Sequence, residues 1–81
     1  MTFNEYAEQL GIKLMREDIK FIRNLVLGMS RERRREVLTE YAAIWCKVRD
    51  KTERSVAAQN SGRFAANVWL REIACGEPQE P

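Results

Sequence analysis

Residues 31–48, RERRREVLTEYAAIWCKV, decide the fold. Val37, Leu38, Tyr41, Ile44, Trp45 and Val48 recur at three- and four-residue spacing, the period of one helix face rather than of a strand. The segment follows Gly28-Met29-Ser30, a glycine stop and a serine cap. Four of its first five residues are Arg31, Arg33, Arg34 and Arg35. One helix therefore carries the densest positive charge and a large share of the core. Arginine at a helix start opposes the helix dipole, at roughly a few tenths of a kcal/mol per exposed charge. Glu36 and Glu40 are spaced to pair with these arginines, which places the cluster on the outer face.

Towards the N-terminus, Met15 to Leu27 predicts a second helix. Glu17 and Asp18 stand in its first turn, with Lys20 and Arg23 later, the order the dipole favours. Met15, Ile19, Ile22, Leu25, Val26 and Met29 form its apolar stripe, with Phe21 off the stripe and placed to cover a first helix. That first helix is predicted from Phe3 to Leu10, capped by Thr2 with Glu5 three residues on, and stopped by Gly11. Ala7 to Gly11 also looks like the start of a helix-turn-helix. The positions at which that motif needs apolar residues fall on Glu17 and Lys20, so a simple helix end is the better reading.

Towards the C-terminus, a break is predicted at residues 50–52, with Thr52 as the next cap, although no proline enforces it. A fourth helix should run from Glu53 to Ala74, burying Val56, Ala57, Phe64, Ala65, Val68, Trp69 and Ile73. Ala58, Gly62 and Ala66 share one face made of small side chains, suited to close helix packing or to a homodimer. Gly62 costs about 1 kcal/mol relative to alanine inside a helix; a loop at Asn60–Gly62 is the alternative. Trp45 and Trp69 fall on core faces, and the rival role for one of them is an exposed anchor for a partner. The resulting expectation is an all-α, single small domain over residues 1–75, a compact three- to four-helix bundle with its two longest helices antiparallel. A disordered acidic tail should follow at 76–81.

Composition limits the chemistry. The 81 residues suffice for one domain. All 14 basic residues lie between Lys13 and Arg71 against seven acids, while both ends carry acids alone, so the middle is net positive. Such a middle suits an anionic partner, or is simply a solvated helix surface. No apolar run approaches the roughly 20 residues of a membrane span. The acidic start does not read as a secretory signal, so a cytoplasmic protein is expected. With no histidine and only Cys46 and Cys75 as thiols, neither a structural zinc site nor an ordinary nucleophile–base pair is expected, and no cofactor. Cys46 reads as a small buried hydrophobe and Cys75 as a free thiol.

Two segments, RERRREVLTEYAAIWCKV at 31–48 and AAQNSGRFAANVWLREI at 57–73, resemble a pattern in short uncharacterised helical proteins of bacteriophages and prophages. An arginine-rich helix start leads to a Tyr-x-x-x-Trp step, here Tyr41 to Trp45. An Asn-x-Gly-Arg step and an Asn-x-Trp-Leu-Arg step follow, here between Asn60 and Arg71. The resemblance leaves residues 1–30 uncovered. It implies a phage or prophage setting in a bacterial host cell and no activity, and it singles out Asn60, Gly62, Arg63, Asn67, Trp69 and Arg71. The functional expectation is a non-enzymatic interaction protein that binds a host or phage protein. It would act through the arginine face (Arg31, Arg33, Arg34, Arg35) or the small-residue face. The alternative is a small nucleic-acid-binding regulator that uses the basic middle.

Overall fold

The computed structural model describes residues 2–52 and 55–76. Four helices follow in order: α1 (Phe3–Gln9), α2 (Arg16–Val26), α3 (Arg31–Asp50) and α4 (Ser55–Gly76). Among the described residues, the fold is an all-α bundle of four helices. No described helix is long and apolar enough to cross a membrane.

The local signals act as the sequence suggests. The Thr2 hydroxyl accepts from the Glu5 amide at 3.2 Å while the Glu5 carboxylate accepts from the Thr2 amide at 3.5 Å, a reciprocal cap on α1. Gly11 ends that segment at φ +75°, a left-handed conformation that costs glycine little. Ser30 caps α3 through the Arg33 amide at 3.1 Å. The break after α3 falls at Lys51–Thr52. The Thr52 hydroxyl donates to the Val48 carbonyl, closing α3. A cap on α4 involving Glu53 and Arg54, and the tail at 77–81, lie outside the described residues, as does the side chain of Val56. Residue 76, expected in the tail, is the last residue of α4.

α3 and α4 form the frame. Tyr41 meets Asn67 and Trp45 meets Gln59, so positions rise along α3 as they fall along α4, and the pair is antiparallel. Asp18 meets Arg63 and Phe21 lies under Arg71, so α2 runs parallel to α4. Phe3 sets its ring edge-on to Tyr41, with centroids 6.1 Å apart, and docks α1 on α3. The core joins Val37, Tyr41, Ala42 and Trp45 of α3 to Ala66 and Leu70 of α4 and to Ala7, Ile12, Ile22 and Val26.

α4 is continuous through Asn60–Gly62, as the expected fourth helix requires, which excludes the alternative loop. Its expected buried face is corrected. Its buried row is Ala58-Gly62-Ala66-Leu70, whereas Ala57 is exposed, Phe64 is 72% exposed and Val68 is 37% exposed. The reason is Trp45. A Cβ on Gly62 would stand 2.6 Å from the Trp45 carbonyl oxygen and 2.7 Å from its indole Cδ1. Only a row of small residues lets α4 approach the largest side chain of α3 so closely, and that registration turns Phe64 and Val68 outward. Met15, expected in the α2 stripe, is also exposed, because it precedes the first turn of α2. Phe21 faces Arg71 of α4. Cys46 is half-buried rather than buried, Cys75 is exposed, and both are free thiols.

Candidate functional site

Two constellations emerge, one closed and one open. The closed one is built on two helical rows. Tyr41, Trp45 and Arg49 repeat every four residues on α3, and Gln59, Arg63 and Asn67 do so on α4. Arg49, Gln59 and Arg63 of these rows grip the connection between α1 and α2. Arg49 Nη1 donates to the Leu10 carbonyl at 2.6 Å. Gln59 Nε2 donates to the Gly11 carbonyl at 2.9 Å, and its Oε1 accepts from Trp45 Nε1 at 2.9 Å and from the Lys13 amide at 3.3 Å. Arg63 is the centre. Its Nη2 donates to the Lys13 carbonyl, its Nη1 to Asn60 Oδ1 and its Nε to Asp18 Oδ2, each at 2.8 Å. The same guanidinium lies 5.1 Å from the centroid of the Trp45 ring. Asp18 Oδ2 also accepts from the Met15 amide at 2.9 Å, so one carboxylate starts α2 and anchors it to α4.

The motif residues are therefore parts of the architecture. Asn60 orients Arg63, Gly62 admits Trp45, Arg63 holds Asp18 and the Lys13 carbonyl, and Asn67 accepts from the Tyr41 hydroxyl. Trp69 packs half-buried against the core, and Arg71 lies 5.5 Å from the Phe21 ring centroid. Burial pushes the Tyr41 phenol well above its ordinary range; the nearby Asp18 charge adds to this and Arg63 opposes it. Ala58, Gly62 and Ala66 are buried within the chain against α3. This is the close packing expected of them, and it leaves that face no room for a second copy.

The open constellation lies at the start of α3. Arg31, Arg34 and Arg35 line a depression of about 460 Å³ with Phe3, Tyr6 and Leu38. A second depression, of about 370 Å³, runs between α2 and α3, with Ile22, Val26 and Leu27 among its lining and Arg23 and Arg34 beside them. Thr2, Phe3, Arg34 and Leu38 belong to both, so the two meet at the first turn of α1. Among the described residues, four arginines and no carboxylate line the pair. The structure thus divides the arginine cluster. Arg31, Arg34 and Arg35 share the depression, while Arg33 faces Glu36 at 3.5 Å. Leu27, 71% exposed, stands at the edge of the second depression.

The lining supplies guanidinium groups, hydroxyls and apolar floor, a set suited to holding an anion beside apolar groups rather than to moving protons. Among the described residues no cluster of three or more His, Cys, Asp or Glu could hold a metal ion. No family model, no curated protein and no solved structure matches the chain.

Sequence reasoning missed Asp18, Arg49 and Gln59. A signal existed for Asp18. It repeats at four-residue spacing with Ile22 and Val26, a carboxylate on an apolar row, and all three are buried. The row of Gln59, Arg63 and Asn67 beside Ala58, Gly62 and Ala66 was the matching signal on α4.

Proposed function

We propose that this chain is a non-enzymatic interaction protein of a phage or prophage, acting in the bacterial cytoplasm, whose arginine-rimmed depression binds a protein partner. The observation that carries this reading is the lining itself: Arg31, Arg34 and Arg35 around Phe3, Tyr6 and Leu38, with no carboxylate among the described residues that line it. Charge at the rim attracts an anionic partner and fixes its orientation, while the apolar floor supplies the area that is removed from water. Charge reversal of Arg31, Arg34 and Arg35 to glutamate tests it. A specific partner captured from host extract should be lost while the far-ultraviolet circular dichroism is retained. Unchanged capture would refute the reading.

A second reading has its own support. Arg16, Lys20 and Arg23 form an exposed row along α2, and Arg23 lines the second depression together with Arg34. Such a band suits a phosphate backbone, which needs only charge and reach. Light scattering with duplex and single-stranded DNA at low salt separates the two readings. A complex that dissolves steeply as salt rises, and that is lost in Lys20→Glu/Arg23→Glu, favours nucleic acid. No complex with any DNA leaves the protein partner.

A further inference from the structure

We infer that the paired depressions receive an acidic amphipathic helix, with one apolar side chain on each side of Phe3 and a carboxylate on Arg34 between them; this rests on the interaction reading above. Three observations carry it. First, Phe3 and Leu38 belong to both depressions and lie between two apolar floors, Tyr6 on one side and Ile22, Val26 and Leu27 on the other. A ligand that fills both needs two apolar groups held a short distance apart, as residues one turn apart on a helix are. Second, the arginines are spread rather than gathered. Arg31 and Arg35 lie at one end, Arg34 belongs to both depressions and Arg23 lies at the other end. A single-headed ligand, such as a fatty acid, would leave most of them without an anion. A segment with several carboxylates between its apolar residues meets them all. Third, the floor is apolar where a phosphate backbone would lie, which a nucleic acid does not use.

The arginines differ in kind from those that hold the fold. Arg49 and Arg63 are committed to carbonyl and carboxylate oxygens within the bundle. Among the described residues Arg23, Arg31 and Arg35 make no side-chain hydrogen bond or ion pair, and Arg34 makes one long bond of 3.4 Å to the Met29 carbonyl. Leu27 stands at the edge of the second floor and becomes covered when the segment docks.

The test titrates the full chain with a short synthetic helical peptide carrying two leucines one turn apart, with glutamates between and around them. Amide shifts by NMR report the site. The expected result is saturable binding with shifts at Thr2, Leu38 and Leu27, and about tenfold weakening in Arg34→Glu and in Leu27→Ser. Both residues are exposed, so neither substitution threatens the fold. The affinity should also fall about tenfold when the peptide's leucines become serine or its glutamates become glutamine. Equal binding by either control peptide overturns the inference, as does preferential binding to anionic phospholipid vesicles or DNA over the peptide. If the peptide fails to bind while charge reversal still abolishes capture of a partner, the inference falls alone and the interaction reading stands. If capture is also unaffected, both fall.

Discussion

Asp18 and Arg63 provide the sharpest test of how the bundle is held. Their side chains are 7% and 17% exposed, and Arg63 Nε stands 2.8 Å from Asp18 Oδ2. Removing Asp18 takes away two charge-assisted bonds, one from Arg63 and one from the Met15 amide, and strands the guanidinium in a half-dry site. Breaking a buried pair of this kind costs about 3–5 kcal/mol. A chain of this length has about 4–12 kcal/mol in all, so Asp18→Ala or Arg63→Ala should remove a large part of it. The double variant should cost less than the two single costs added, with a coupling of about 1–3 kcal/mol. Urea unfolding followed by tryptophan fluorescence measures all four corners of the cycle. Single losses below about 1 kcal/mol, or strict additivity, would refute the view that this pair fastens α2 to α4, since that is the scale of an exposed pair.

The Gly62 contact predicts that Gly62→Ala lowers the melting temperature. Overpacking against the Trp45 carbonyl costs about 1–3 kcal/mol and exceeds the gain in helix propensity of about 1 kcal/mol; a thermal melt that rises would overturn the close approach. Phe64→Ser should change stability by about 0.5 kcal/mol or less, because the ring is 72% exposed; a loss of about 3–5 kcal/mol, the scale of a buried phenylalanine, would restore it to the core. Tyr41 has its folded pKa raised above the unfolded value. The stability it contributes is complete below about pH 10 and is lost as pH climbs towards the folded value. Alkaline urea titrations should therefore fall about 1.4 kcal/mol per pH unit more steeply in the native chain than in Tyr41→Phe, and identical slopes would show that Tyr41 ionises as freely folded as unfolded.

The helices were legible because their signals are local. Thr2 with Glu5, Ser30 and Gly11 act within a turn of themselves, and the spacing of Val37, Tyr41 and Trp45 needs no knowledge of the rest of the chain. The buried face of α4 was misread because hydrophobic periodicity ranks residues by apolar size. Packing against Trp45 rewarded missing side chains instead, so Gly62 and its alanine neighbours went inside and Phe64 and Val68 went out. The small-residue row was visible in the sequence, but which helix would fill it was not. The polar clamp was hidden for a related reason. Asp18, Gln59 and Arg49 look like surface residues until the backbone at 10–15 is brought beneath them, and that meeting joins positions about 40 residues or more apart. The arginine cluster was readable as exposed charge, whereas most of the apolar floor it rims comes from α1 and α2 and is brought to it by tertiary structure.

The two ends of the bundle are built on opposite principles, and this yields a last prediction. At the clamp end Arg49 and Arg63 are matched to oxygens and stabilise the fold. At the start of α3 the arginines face the positive end of the helix dipole and add to it. If that arrangement is kept for binding, reversing it should make the protein more stable. Arg31→Glu places a carboxylate in the first turn and four residues before Arg35, in the favoured order for a pair. The change should raise unfolding free energy by about 0.3–1 kcal/mol at low salt, and less at high salt because the site is exposed. The same variant should bind the acidic peptide more weakly. A gain in stability joined to a loss of binding is the signature of charge held in place for a partner at the fold's expense. A loss of stability in Arg31→Glu would mean that Arg31 supports the bundle itself, and the open depression would lose its strongest claim to be a site.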